Sequence, residues 1–170
     1  MNFFLKICIL VHTDEVLLFM RTNKNIIHLD NNWGMFLGSF SQNNIHRHYA
    51  IQLSLPLHQP VSIYSKISEY SCQEGFLIKS NVEHQLECQG IHLLFLINPI
   101  SVLGQFFRQT AKYDISCYNN TWLKTLRKET LDFLNDIFSK SEFLNTVIDT
   151  LHHFEQNCNT SDINSDERII

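Results

Sequence analysis

Glycine is scarce in this chain, with five in 170 residues. That leaves little room for a glycine-rich loop that cradles phosphates. The five cysteines, Cys8, Cys72, Cys88, Cys117 and Cys158, stand far apart and in odd number. This spacing excludes a zinc ribbon and a Cys-x-x-Cys redox motif, and it suits reduced thiols in cytoplasm. Charge is also sparse, at 18% of residues with a net charge of −4. No basic stripe of the kind that grips nucleic-acid phosphates is present. The densest basic group is Lys124, Arg127 and Lys128, with Glu129 and Asp132 close behind. No apolar run reaches the length of a membrane-spanning helix, because Lys6, His12, Asp14 and Glu15 break the first stretch. That stretch also lacks the basic start and small-residue cleavage site of a signal peptide. Internal repeats are absent.

What the chain has is apolar bulk: 44% hydrophobic residues, among them 13 Phe and five Tyr. A chain of this length and composition buries a real core. Its first two thirds read as short strands, at Ile26–Leu29, Met35–Phe40, Ile45–Leu55, Val61–Tyr64, Gly75–Lys79, His84–Cys88 and Ile91–Ile97. Turn-forming residues separate them at Asp30-Asn31-Asn32, Gln42-Asn43-Asn44, His58-Gln59-Pro60 and Gln89-Gly90. Many short strands without alternating helices predict a sandwich or jelly roll.

The pattern changes at Asn98-Pro99, which reads as the cap and first position of a short helix ending near Thr110. A loop over Lys112–Asn120 follows. Two longer helices come next. One carries Leu123, Leu126, Thr130, Phe133, Leu134 and Ile137 on one face, the other Leu144, Val147, Ile148, Leu151 and Phe154. Ser139 and Glu142 form a capping box between them, and the short link predicts an antiparallel hairpin. So rich an apolar surface must pack on the sheet, on a second copy of the chain, or on both. The tail from Asn157 is polar and reads as a linker. Glu167-Arg168-Ile169-Ile170 looks like the first turn of a further helix.

The run Ile45-His46-Arg47-His48-Tyr49-Ala50-Ile51-Gln52-Leu53 carries the chemistry. In a strand, His46, His48, Ala50 and Gln52 share one face, and Arg47, Tyr49, Ile51 and Leu53 share the other. A third histidine, His84, follows the strand and turn of Gly75–Glu83. His46, His48, Gln52 and His84 are therefore the candidate ligand-binding residues. They line a pocket for an organic ligand, or His46, His48 and His84 hold a divalent ion such as zinc. Glu83 points away from the face of His84. His12, His28, His58, His92, His152 and His153 read as surface or partly buried residues without a role.

The spacing resembles the cupin metal pattern, His-x-His-x3-Glu with a histidine on a later strand. Gln52 stands here where that pattern has its carboxylate. The set for iron oxygenase chemistry is then incomplete. His46–Leu53 also resembles the opening of the sensor domain in one branch of AraC-family transcription regulators. Gly75–Leu86 resembles the second block of that branch. Leu93–Ile97 with Asn98-Pro99, Ser101 and Leu103-Gly104 resembles its third. Ser165–Ile170 resembles the lead-in to its DNA-binding domain. The resemblance implies a mainly β protein with C-terminal α structure, a cupin-like jelly roll (a double-stranded β-barrel) followed by an antiparallel helical hairpin.

It further implies an effector-sensing domain over 26–111, a dimerising hairpin over 112–157, and a linker over 158–170. The linker leads to helix-turn-helix units that this sequence does not contain. Residues 1–25 remain unassigned, with Met20 an alternative start. On this reading the protein is a cytoplasmic bacterial homodimer and not an enzyme. It takes an unidentified small-molecule effector and touches DNA only through the absent domain, and no membrane is involved. Leu123, Leu126, Phe133, Leu134, Ile137, Leu144, Val147 and Leu151 are its expected dimerisation residues. Two other readings stand beside it: a stand-alone metal-dependent cupin enzyme of isomerase or oxygenase type, and an inhibitor that pairs with longer relatives through the hairpin.

Overall fold

In a computed structural model of the chain, residues 25–39 and 44–160 are described. Among these residues, nine strands make two antiparallel sheets. They are β1 (Ile26–Leu29), β2 (Trp33–Ser39), β3 (Ile51–Pro56), β4 (Val61–Tyr64), β5 (Glu69–Cys72), β6 (Phe76–Ile78), β7 (Gln85–Cys88), β8 (Ile91–Ile97) and β9 (Ile115–Cys117). The large sheet runs β1-β2-β8-β3-β6-β9 and the small one β5-β4-β7. A single bridge between His46 and His84 extends the small sheet beyond the start of β7. Count the chain around His46 as the second of eight strands and β2 as the first. The orders are then first-eighth-third-sixth and second-seventh-fourth-fifth, which is jelly-roll connectivity. β1 and β9 are additions at the edges of the large sheet.

Both faces of the large sheet are buried, and strand alternation divides them. Met35, Leu37, Ile51, Leu53, Leu55, Leu77, Leu93, Phe95 and Ile97 join one cluster with the helices. Phe76 and Ile78 turn the other way and join Val61, Ile63, Leu86 and Cys88 of the small sheet. Ala50, Leu96, Leu94 and Phe36 form a third group. The molecule is thus layered as helices, large sheet and small sheet.

Among the described residues, three helices form the outer layer: α1 (Val102–Thr110), α2 (Thr121–Leu134) and α3 (Lys140–Thr160). The expected start of α1 is shifted. Ser101, not Asn98, is the cap, and its hydroxyl accepts from the Gly104 N–H at 3.1 Å. Asn98 and Pro99 make the turn before it, because the Asn98 carbonyl accepts from both the N–H and the hydroxyl of Ser101. Asn120 caps α2 through the Leu123 N–H. The capping box is present: Glu142 accepts from the Ser139 N–H at 2.8 Å, and Ser139 from the Glu142 N–H at 3.2 Å. Phe133 near the end of α2 stacks on Phe143 near the start of α3. Trp122 near the start of α2 meets Phe154 toward the other end of α3. These pairs set the helices antiparallel.

α2 ends earlier than its apolar face suggests. Asp136 takes a left-handed φ of 62°, which stops the helix and leaves Ile137 outside it. α3 runs on to Thr160, into the stretch read as linker. Two strands escaped the sequence reading. β5 is a polar edge strand, and β9 is three residues long within the expected loop. Arg127 clamps α2 to the barrel, with its guanidinium donating to the carbonyls of Gln73 and Leu57 at 2.9 and 2.8 Å. Lys128 pairs with Asp132. The densest basic group is therefore partly spent on intramolecular partners. Among the described residues, no helix is long and apolar enough to cross a membrane.

Candidate metal centre

The segment from Asn44 to Ala50 is not the continuous strand expected over Ile45–Leu55. It touches the small sheet at His46, bends at Tyr49-Ala50, and enters the large sheet only at Ile51. The turn at Ser80-Asn81 holds it in place. Asn81 adopts a φ of 61°, a left-handed conformation that asparagine accepts more readily than most residues. There its N–H donates to the His48 carbonyl at 2.8 Å. His46 and His84 exchange main-chain hydrogen bonds at 3.0 and 2.9 Å. The crossing between the two sheets thus brings His46 and His84 from one side to Gln52 of β3 on the other.

The three rings lie with centroids 4.6 Å (His46–His84), 5.2 Å (His48–His84) and 5.6 Å (His46–His48) apart. One nitrogen of each lies within 4.8 Å of the others. Each Nδ1 faces a main-chain carbonyl: His46 that of Asn44 at 2.8 Å, His48 that of Ala50 at 2.9 Å, His84 that of Val82 at 2.9 Å. A carbonyl only accepts, so each Nδ1 carries the proton and each neutral ring keeps its lone pair on Nε2. Metal-binding histidines are commonly oriented in this way.

Gln52 completes the group. Its Oε1 stands 2.9 Å from His48 Nε2 and 3.2 Å from His84 Nε2, while its Nε2 donates to Ser54 Oγ at 3.0 Å. Oε1 and both ring nitrogens are acceptors in this state, with no hydrogen between them. Added protons do not resolve this near neutral pH. Burial lowers the pKa of His48, and it brings that of His84 down to about 3. A divalent cation does resolve it, and three imidazoles suit zinc, copper, iron or nickel. His46, His48 and His84 fit such an ion, with Gln52 Oε1 as a further, weaker donor. A carboxamide also has a second arrangement. Turned end for end, its NH2 serves both rings and its oxygen accepts from the Ser54 hydroxyl.

The four ligand-binding candidates are thus together. Ala50 is buried beside them. Arg47 and Tyr49 are exposed rather than packed with Ile51 and Leu53, because the strand has not begun there. Glu83 turns to Lys66. Ser54 and Asn81 were missed as members of the site. Ser54 was legible two residues after Gln52 on the same strand face. Asn81 was legible only as part of a turn.

His92 departs from its expected surface or partly buried place. It is fully buried, and burial pushes its pKa down to about 3. His28 is half-buried against Trp33. His58, His152 and His153 are exposed, and His12 lies outside the described residues. So do Cys8 and the possible helix start at Glu167–Ile170. Of the eight expected dimerisation residues, Leu123, Leu126, Phe133, Val147 and Leu151 are buried in the chain's own core. Leu134 and Leu144 are half-buried, and Ile137 is 64% exposed.

No family model and no curated protein matches the chain. Solved structures do. A cupin-2 domain protein of Shewanella frigidimarina is 15% identical over 50% of this chain and 89% of its own, with a TM-score of 0.39. A cupin superfamily protein of Desulfitobacterium hafniense is 14% identical over 49% and 85%, with a TM-score of 0.38. A protein of Streptococcus pyogenes described as of unknown function is 13% identical over 46% and 74%, with a TM-score of 0.40. At such overlap the fold rests on the strand order above, which is that of a cupin-like jelly roll.

Proposed function

We propose that this chain is the sensing and dimerising part of a bacterial AraC-type regulator, and that its sensor is a divalent metal ion held by His46, His48 and His84 in a cupin-type barrel. The observation that carries the metal part is the convergence of His46, His48 and His84, one ring nitrogen of each within 4.8 Å of the others and each Nδ1 held by a main-chain carbonyl. The regulator part is supported by the order of the sequence blocks and by the helical layer that follows the barrel. DNA contact belongs to helix-turn-helix units outside this sequence. His46, His48 and His84 would hold the ion, with Gln52 beside it, and the ion would supply Lewis-acid chemistry there. The residues themselves orient it: three carbonyls fix the rings, and Ser54 fixes the carboxamide. We read this as binding rather than turnover, because Gln52 replaces the carboxylate that iron oxygenase chemistry uses.

Elemental analysis of the untagged protein, equilibrated with zinc and then desalted, tests the metal part. The expected content is about one ion per chain, lost in a His46→Ala, His84→Ala double variant. Absence of any ion from the folded wild type after such equilibration would remove the metal sensor and leave a pocket for an organic ligand.

A further inference from the structure

We propose that Cys72 and Cys117 form a second functional site, a thiol pair that closes to a disulfide under oxidising conditions and so fastens the barrel edge to the start of α2. The pair shares no residue with the metal centre and does not depend on it.

Topology brings the two sulfurs together. Cys72 ends β5, an edge strand of the small sheet, and Cys117 ends β9, an edge strand of the large one. The turn Gln73-Glu74-Gly75 leads from β5 into β6, and β9 lies beside β6, with Phe76 registered to Cys117 and Ile78 to Ile115. Alternate residues of a strand share a face, so Cys117 turns the same way as Ile115. Ile115 is buried on that side in one cluster with Cys72 and Phe76. The chain after β9 closes on the same turn. The Tyr118 N–H donates to the Gly75 carbonyl at 2.8 Å, and Asn119 Nδ2 donates to Glu74 Oε1 at 3.2 Å. The other oxygen of Glu74 accepts from the Cys72 thiol at 3.7 Å. Partial burial, then hydrogen bonding with Cys72, push the Cys117 thiol up to about 12.

The two thiols differ in access: Cys117 is exposed and Cys72 is buried. An outside reagent therefore meets Cys117 first. The oxidant is a low-molecular-weight disulfide. The Cys117 thiolate attacks one of its sulfurs, forms a mixed disulfide and releases one thiolate. The Cys72 thiol then gives its proton to the Glu74 carboxylate, its sulfur attacks that of Cys117, and a second thiolate leaves. Two protein thiols are oxidised, the reagent is reduced to two thiols, and the two protons end on them. The bond forms where the helical layer joins the barrel. Asn120, just after Cys117, caps α2, and Arg127 of α2 donates to the carbonyl of Gln73, next to Cys72. Oxidation adds a covalent tie at this junction.

Glutathione redox buffers test the pair. The full chain is equilibrated with mixtures of reduced and oxidised glutathione, quenched in acid, alkylated in denaturant and digested. The expected product is a peptide pair joined through Cys72 and Cys117, from a chain two hydrogens lighter than the reduced one, and dithiothreitol should reverse it. Cys72→Ala should stop the reaction at a glutathione adduct on Cys117. Cys117→Ser, at an exposed position, should leave Cys72 without an adduct, whether or not the alanine variant folds. In the bonded chain, amide exchange over residues 115–121 should slow roughly tenfold. A glutathione adduct that stays on Cys117 of the wild type, a bond through another cysteine, or thiols that stay free in oxidised glutathione alone would each overturn the pairing. A Cys72–Cys117 bond that leaves amide exchange over 115–121 unchanged would overturn the fastening of α2.

Discussion

At the residue scale, the site depends on where a few main-chain groups point. Each histidine has Nδ1 held by a carbonyl two residues away, so the free nitrogens turn toward one another. Asn81 is the least conspicuous of the residues that make this happen. Its N–H reaches the His48 carbonyl only because the backbone is left-handed there. Alanine in that conformation costs about 1 kcal/mol, whereas glycine adopts it freely. Asn81→Ala should lower the unfolding free energy from urea melts by about 1 kcal/mol and weaken Co2+ binding, and Asn81→Gly should restore the binding. Equal cobalt affinity in all three proteins would mean that the turn does not position His48.

His92 bears on stability rather than on the site. It is buried neutral, with its pKa pushed from 6.5 to about 3. Below 6.5 the unfolded chain binds a proton that the folded chain does not, so unfolding is favoured as pH falls. The contribution of this one group is complete above pH 6.5 and is lost on the way down to about 3. The slope is about 1.4 kcal/mol per pH unit. Stability from urea melts should fall from pH 7 to 5, most steeply below pH 6, and His92→Leu should lessen that fall by the share of one histidine while His84 and His48 keep theirs. A slope unchanged in the variant would place the acid sensitivity in other groups.

At the element scale, periodicity was a good guide where one face is apolar and a poor one where neither is. β4 and β8 were legible to the residue, because Val61–Tyr64 alternates apolar and polar and Ile91–Ile97 is apolar at every position but His92. β5 was not, since Glu-Tyr-Ser-Cys at a sheet edge offers no apolar stripe. The stretch 45–50 was mistaken for strand because its histidines alternate. That alternation serves ring nitrogens and main-chain carbonyls instead of a ladder. The site residues were therefore legible, while the crossing that assembles them was not.

The start of α1 shows a constraint that sequence alone hides. A Cβ placed on Gly104 would lie 2.0 Å from the Asn98 carbonyl oxygen and 2.7 Å from the Pro99 Cα. Both are main chain and have nowhere to go. Gly104→Ala should cost about 3 kcal/mol, from overpacking and a displaced Ser101 cap. A chemical melt showing no loss would mean that the Asn98-Pro99 turn yields. Gly90→Ala is a useful contrast, since nothing lies within 4 Å of its Cβ and only the φ of 94° is strained.

At the scale of the whole molecule, the helical layer has two candidate roles: covering the outer face of the large sheet and joining two copies of the chain. The burial pattern separates the residues that serve them. Leu126 and Val147 belong to the same buried cluster as Leu53, Leu93 and Phe95 of the sheet, so their first task lies within the protomer. An aspartate there buries an unpaired charge and costs on the order of 4 kcal/mol or more. Leu126→Asp or Val147→Asp should therefore unfold the domain rather than separate a dimer. A lighter species in solution would not, on its own, report an interface. Ile137 is the informative position. It lies beyond the end of α2 and is 64% exposed, so aspartate there is tolerated by the fold. If the hairpin dimerises through its turn, Ile137→Asp should shift sedimentation equilibrium toward monomer with an unchanged melt. Should the wild type be a dimer and Ile137→Asp remain one, the interface lies elsewhere. The exposed Ile100 and Val102 at the start of α1 are the next apolar side chains to probe.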